Sequence, residues 1–339
     1  MKVLVYGSNS YTRNMLTAAN WLKQHEFIHS EAQLNAKTAT LAAGYEAICC
    51  FVEDDLGSET LAVLAQNAVK LVLLRCMGFN NVDLEAAERL GITVMRVAEY
   101  SPHSVAEFSV GLILALNRKI HRAYNRVKEG DFMLDGLLGF DLHGKVVGII
   151  GTGRIGSALA NIMLGFSCRV LAYDPIENES LRRSGVIYTS LENLLAESDI
   201  ISLHVPLTPD THHMINQTTL SLMKPQAMLI NTSRGGVIDT DDLIHALKRR
   251  KIGAVGLDVY EEETHIYYHN LRDQIIDDDK LMRLLTFPNV LVTAHQAFFT
   301  REALEQIANT TIRNLNDFLS GVCNRNTLHL ESHTAAIKA

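Results

Sequence analysis

Cysteine is scarce in this chain of 339 residues and badly placed for cross-linking. Cys49, Cys50, Cys76, Cys168 and Cys323 are odd in number and include no C-x-x-C pair or zinc-ligand spacing. That excludes a disulfide framework and a cysteine-built metal site, and argues for reduced, mostly buried thiols. No apolar stretch approaches about 18 uninterrupted residues, so nothing reads as a membrane span. The run Val3-Leu4-Val5-Tyr6 is too short for a signal h-region, and a cytoplasmic protein is expected. Positive charge is also short: 31 Lys and Arg face 38 Asp and Glu, a formal net charge of −7. Without a basic field, binding along nucleic acid phosphates is disfavoured. Internal repeats and low-complexity tracts are absent as well.

What is present suits two globular domains, because 47% hydrophobic residues over this length fill two ordinary cores. Strand-like and helix-like segments alternate, the signature of an α/β protein with parallel sheets. Apolar runs at Val3 to Tyr6, Ala47 to Val52, Leu71 to Leu74 and Ile92 to Met95 predict a small doubly wound domain. Ser101-Pro102 opens a helical pattern from Ser104 to about Tyr124, whose apolar face is also a candidate subunit interface. A second series follows, at Val146 to Ile150, Arg169 to Tyr173, Ile200 to Leu203, Ala227 to Ile230, Gly253 to Leu257 and Val290 to Thr293. Six strands complete a dinucleotide-binding sheet. After them Thr300 to Leu319 is helical, with Thr300 as N-cap and Gly321 just beyond the end. The expected architecture is therefore a discontinuous, flavodoxin-like domain (1–100 with 297–330), an inserted Rossmann domain (101–296) and a disordered tail (331–339).

Gly151-Thr152-Gly153-Arg154-Ile155-Gly156 lies between a strand and a helix. Its glycines suit a tight turn, backbone approach to a pyrophosphate, and close packing of helix on strand. The next strand ends at Asp174, 18 residues past Gly156, placed for the adenosine ribose hydroxyls. A carboxylate there repels a 2′-phosphate, so NAD is expected rather than NADP. Asp174-Pro175 also reads as an ordinary turn.

Arg234, Glu263 and His295 each follow a strand of the second series, where ligands of open α/β sheets collect. Singly, such residues are most often a surface ion pair, a solvated acidic turn and a histidine without chemistry. Jointly they match the reduction of a 2-keto acid. An arginine holds the carboxylate and polarises the carbonyl, a histidine supplies the proton, and a nearby carboxylate favours the imidazolium. His212-His213 and the pair His25 and His29 have no third ligand in sight, and no metal is expected.

These residues resemble the D-isomer-specific 2-hydroxy acid dehydrogenases over roughly residues 1–325, near the lactate branch of that family. Beyond the glycine motif and Asp174, the resemblance rests on Arg75-Cys76-Met77-Gly78-Phe79-Asn80-Asn81-Val82-Asp83, on Ser198 to Pro209, on Ile230 to Gly236, on Gly256 to Glu261, on Asn289 to Thr300 and on Tyr100-Ser101-Pro102. It implies His295 as acid and base. Glu263 is implied as its partner, five residues past Asp258. Backbone N–H groups of Met77 and Gly78 would bind the substrate carboxylate with Arg234, while Tyr100 reaches the substrate and Phe298 walls its pocket. Toward NAD it implies Arg154 and Ile155 at the pyrophosphate, Val205 and Pro206 beside the riboses, Thr211 where relatives often carry Asn, Thr232 and Ser233, and Asp258 near the nicotinamide amide. Pyruvate and D-lactate are the expected pair, with larger 2-keto acids as the alternative, since Met77 is bulkier than the Ala or Val usual there. An NADH-sensing regulator is the remote alternative. A homo-oligomer, dimer or tetramer, is the family expectation.

Overall fold

The computed structural model describes residues 1–330 apart from the side chain of His265, so the 331–339 tail lies outside the described residues. The chain forms two compact units, one of residues 1–101 with the segment from Phe299 onward, the other Pro102–Phe298. In chain order the strands are β1 (Lys2–Val5), β2 (Glu26–His29), β3 (Ala47–Cys50), β4 (Leu71–Leu74), β5 (Thr93–Arg96), β6 (Val146–Ile150), β7 (Arg169–Tyr173), β8 (Ile187–Tyr188), β9 (Ile200–Leu203), β10 (Met228–Asn231), β11 (Ala254–Leu257), β12 (Val290–Val292) and β13 (Thr327–Leu328).

In the first unit the sheet order is β13-β5-β4-β3-β1-β2. The β2-β1-β3-β4-β5 portion is parallel and has the flavodoxin-like order. β3 and β4 are buried at every position, as central strands covered on both faces must be. β13 pairs antiparallel with β5, a strand the sequence did not announce. It is two residues long with only Leu328 buried, too short for a readable alternation.

The second sheet runs β12-β11-β10-β9-β6-β7-β8 and is parallel throughout. Counted within the unit this is 7-6-5-4-1-2-3, the dinucleotide-fold order with one strand added beyond the six expected. The order reverses between β6 and β9. The helix Pro102–Arg118 buries Ala106, Val110, Leu112, Ile113 and Leu116 against this sheet, so the face expected as a candidate subunit interface is spent inside the unit. It is also shorter than expected. Lys119 takes a left-handed conformation (φ +50°), and Ile120–Lys128 restarts as a separate helix with no buried residue. Asn117 marks the break: its side chain donates to Phe140 O (2.7 Å) and accepts from Phe140 N (2.8 Å), and beyond it the chain has no core to follow.

The helix Arg301–Leu319 returns to the first sheet. Thr300 caps it by accepting from Ala303 N (3.2 Å), and Gly321 (φ +68°) follows its end. Leu315 packs among Val3, Val5, Leu71 and Met95. One residue earlier, Asn314 donates to Arg96 O (2.9 Å) and accepts from Asn326 Nδ2 (2.8 Å), with both asparagines buried. Truncation strands two buried polar groups, each worth about 1–3 kcal/mol. Asn314→Ala is therefore expected to destabilise the protein by about 2–4 kcal/mol, read as a lowered urea midpoint at unchanged m-value.

Candidate active site

The glycine motif, Asp174, Arg234, Glu263 and His295 all follow strands of the second sheet at its carboxyl edge. At the switch between β6 and β9, Gly151 sits at φ +90°, and a Cβ there would stand 2.6 Å from His204 O. A Cβ on Gly156 would lie 2.0 Å from Gly151 O. Only glycine permits either approach. At Gly153 a Cβ would meet nothing within 4 Å, so the space above the loop is open. Gly153 is the N-cap of the helix Arg154–Gly165 and offers no side-chain cap. The start of that helix is where backbone N–H groups and the helix dipole favour a phosphate. These features fit a dinucleotide pyrophosphate.

Asp174 directly follows β7 and closes the same loop, its Oδ2 accepting from Thr152 N (2.6 Å) and its Oδ1 from Ile176 N (2.9 Å). A carboxylate offers about four lone-pair sites, so both the turn and a ribose contact are accommodated. Val205 packs on the core, and Pro206 is exposed at the loop after β9. Thr211 donates its hydroxyl to Pro206 O (2.5 Å) and accepts from Thr208 N (2.8 Å), which commits it to holding the 206–211 turn. The Thr232 hydroxyl bonds Ser109 (3.0 Å), and that of Ser233 donates to Asn231 Oδ1 (2.7 Å). Nearby, burial pushes His204 down to about 4, so it is a neutral ring, bonded to Ser202 (2.8 Å).

Glu263 and His295 meet directly. His295 Nδ1 lies 2.7 Å from Glu263 Oε1, and the other carboxylate oxygen accepts from Tyr260 N (2.9 Å). Both side chains are under one-fifth exposed. His295 occupies left-handed backbone (φ +49°), a strained state for a non-glycine residue that its surroundings must enforce. Asp258 does so. Fully buried after β11, it accepts from Thr293 Oγ1 (2.6 Å), Gln296 N (3.0 Å) and Ala297 N (2.9 Å), while its carbonyl accepts from His295 N (2.7 Å).

Two tyrosines that sequence reasoning did not single out flank this pair. The Tyr268 hydroxyl donates to His295 O (3.1 Å). Buried Tyr267 is held well above the usual phenol range, first by burial and then by the charges of Glu263 and Asp258, and stays neutral. Arg234 stands after β10, its Nη1 donating to Ser233 O (2.7 Å) and its carbonyl accepting from Asn231 Nδ2 (2.9 Å). Gly235 lets this loop press on the next: a Cβ would lie 2.1 Å from Tyr260 C. The Arg234 loop is thereby locked to the segment leading into Glu263.

Phe298 is buried at the end of this unit. Met77, Gly78 and Tyr100 belong to the first unit. There Met77 O accepts from Arg96 Nη1 (2.8 Å), and Gly78 O accepts from the Cys76 thiol (3.3 Å). In a trans peptide the carbonyl and the following N–H point oppositely, so Gly78 N–H is aimed away from Arg96.

A profile of the D-isomer specific 2-hydroxyacid dehydrogenase NAD-binding domain matches residues 110–297. D-lactate dehydrogenase kk1H of Curvularia clavata is 50% identical over 332 residues, 97% of this chain and 95% of its own length. 2-Hydroxyacid dehydrogenase homolog 1 of Schizosaccharomyces pombe is 49% identical over 94% of this chain and 97% of its own. A solved structure described as the pyruvate reductase of Chlamydomonas reinhardtii superposes with a TM-score of 0.92 at 42% identity, covering 96% of this chain and 98% of that one.

The Asp258 bonds give a direct test of how the loop is held. Asp258→Asn puts an amide NH₂ against groups that already donate and is expected to lower stability by about 1–3 kcal/mol, more if the lost charge counts fully. The check is a drop in thermal midpoint that an isosteric change at exposed Asp210 does not reproduce.

Proposed function

The chain is a member of the D-isomer specific 2-hydroxyacid dehydrogenases, an NAD-dependent oxidoreductase near the D-lactate dehydrogenases of that family, and from that premise we propose that its substrate pair is pyruvate and D-lactate. The observation that carries the mechanism is the 2.7 Å contact between His295 and Glu263. NADH, when bound, supplies the hydride received by the carbonyl carbon. Arg234 binds the pyruvate carboxylate through its planar fork and polarises the carbonyl oxygen. Glu263 holds the His295 ring by Nδ1 and steadies its positive charge, leaving Nε2 to give its proton to the developing alkoxide. In the reverse direction His295 takes that proton from the hydroxyl.

Gly151, Gly153 and Gly156 with Arg154 and Ile155 would hold the pyrophosphate, and Asp174 the adenosine ribose. Val205, Pro206, Thr232, Ser233 and Asp258 complete the proposed cofactor contacts, with Thr211 acting through the turn it ties. Met77 and Gly78 through their N–H groups, Tyr100 and Phe298 are the further proposed substrate contacts. On this reading residues 1–100 with 297–330 make the substrate domain and 101–296 the NAD domain. The fully buried thiols of Cys49 and Cys50 support a reducing, cytoplasmic setting.

NADH consumption with pyruvate, 2-ketobutyrate, 2-ketoisocaproate and phenylpyruvate, followed by chiral analysis of the product, tests the substrate. Preference for pyruvate with D-lactate formed is expected; preference for a bulkier acid overturns the pyruvate assignment. His295→Asn, chosen because asparagine tolerates left-handed backbone, is expected to lower kcat about 10²–10⁴-fold with NADH binding retained. Full turnover in that variant would remove His295 from the proton role.

The same reading proposes a homo-oligomer. Phe132 (75% exposed), Met133, Leu134 (81%) and Leu138 (88%) follow the unburied helix Ile120–Lys128, an apolar run that monomers rarely leave to water. A second copy covers it. Leu134→Asp with Leu138→Asp is expected to shift sedimentation toward the monomer, and an unchanged mass would place the interface elsewhere.

A further inference from the structure

Behind the Arg234 loop, the turn after β9 carries two consecutive histidines that the reaction does not use. The sequence offers them no third ligand, but the fold supplies one. A ligand atom from each of His212, His213 and Glu261 lies within 4.8 Å of the others. We propose that these three side chains bind one transition-metal dication of borderline softness, Zn²⁺ being the probe of choice, at a site separate from the Glu263–His295 pair.

The donor chemistry fits imidazole and carboxylate binding. His213 Nε2 already faces Glu261 Oε1 at 2.5 Å, and its other ring nitrogen lies 3.4 Å from Asp239 Oδ2. That second contact is the arrangement a ligating histidine adopts, one nitrogen toward the ion and the other N–H toward a carboxylate. Glu261 is likewise supported from behind, its Oε2 accepting from the Thr240 hydroxyl (2.9 Å). Backbone fixes the third element: His213 sits at φ +50° with its N–H donating to Gly236 O (2.9 Å). Donors around a tetrahedral ion lie about 3.4 Å apart. His213 and Glu261 therefore separate by about 1 Å, and His212, which is exposed and stacked on His213 at 3.8 Å, swings inward.

An ion here replaces the His213–Glu261 bond with two metal bonds. Glu261 stands two residues before Glu263, and Gly236 two residues after Arg234, so both loops of the proposed reaction centre are moved. On the function proposed above, binding is accordingly inhibitory.

Calorimetric titration of the full chain with Zn²⁺ alone is the experiment, paired with turnover at each metal concentration. The expected result is 1:1 binding that His212→Ala and Glu261→Gln each weaken about tenfold or more, with inhibition in the native chain that His212→Ala relieves. No binding, or binding that both variants leave intact, overturns the site. Binding without inhibition in an active enzyme overturns the coupling. A chain that binds Zn²⁺ as expected yet turns over no keto acid keeps the site and sinks the proposed substrate instead.

Discussion

The carboxylate of Asp258 is buried beyond the reach of water, and its three hydrogen bonds all go to residues 293–297. A buried charge so surrounded dictates where that loop runs, because any other path leaves the charge uncompensated. From this the position of His295 follows, including its left-handed backbone. From His295 follows the value of Glu263, which reaches it only because a second oxygen anchored on Tyr260 N fixes the carboxylate plane. The Arg234 loop is set by contact rather than charge: Gly235 has no side chain, so the loop can rest on Tyr260. Three loops from three strand ends are thus registered against one another through the 258–261 segment.

That registration explains what could be read before the fold was known. In a parallel sheet with the dinucleotide order, residues just past successive strands share one edge, so the strand pattern drew Arg234, the 261–263 acidic run and His295 together, and the family resemblance picked Glu263 out of that run. The glycine motif was legible for a similar reason. Gly151 and Gly156 stand where any Cβ strikes backbone, and that demand is written in residue identity. The 3.6-residue pattern and Thr300 likewise announced the helix Arg301–Leu319.

Other parts left no such mark. β2, β8 and β13 lie at or near sheet edges and are short and partly exposed, so no apolar run betrays them. The break at Lys119 depends on the Asn117–Phe140 bonds, which join residues whose pairing only the fold creates. Asp258 was read only as a cofactor contact, and nothing in its motif indicated that its oxygens also organise the 293–297 loop. His213 and Glu261 are 48 positions apart, and nothing in either motif indicates that they touch.

The first unit is assembled from both ends of the chain, and Asn314 on its last long helix bonds the carbonyl of Arg96 across 218 positions. Synthesis on the ribosome is vectorial and slow relative to local folding. The nascent first unit therefore waits with Leu71, Leu73 and Met95 missing their Leu315 cover until the second unit has emerged entire. The inserted unit can mature while tethered. The outer one gains its full core only once the helix Arg301–Leu319 has been made, and in that interval its uncovered sheet is the surface a chaperone would shield.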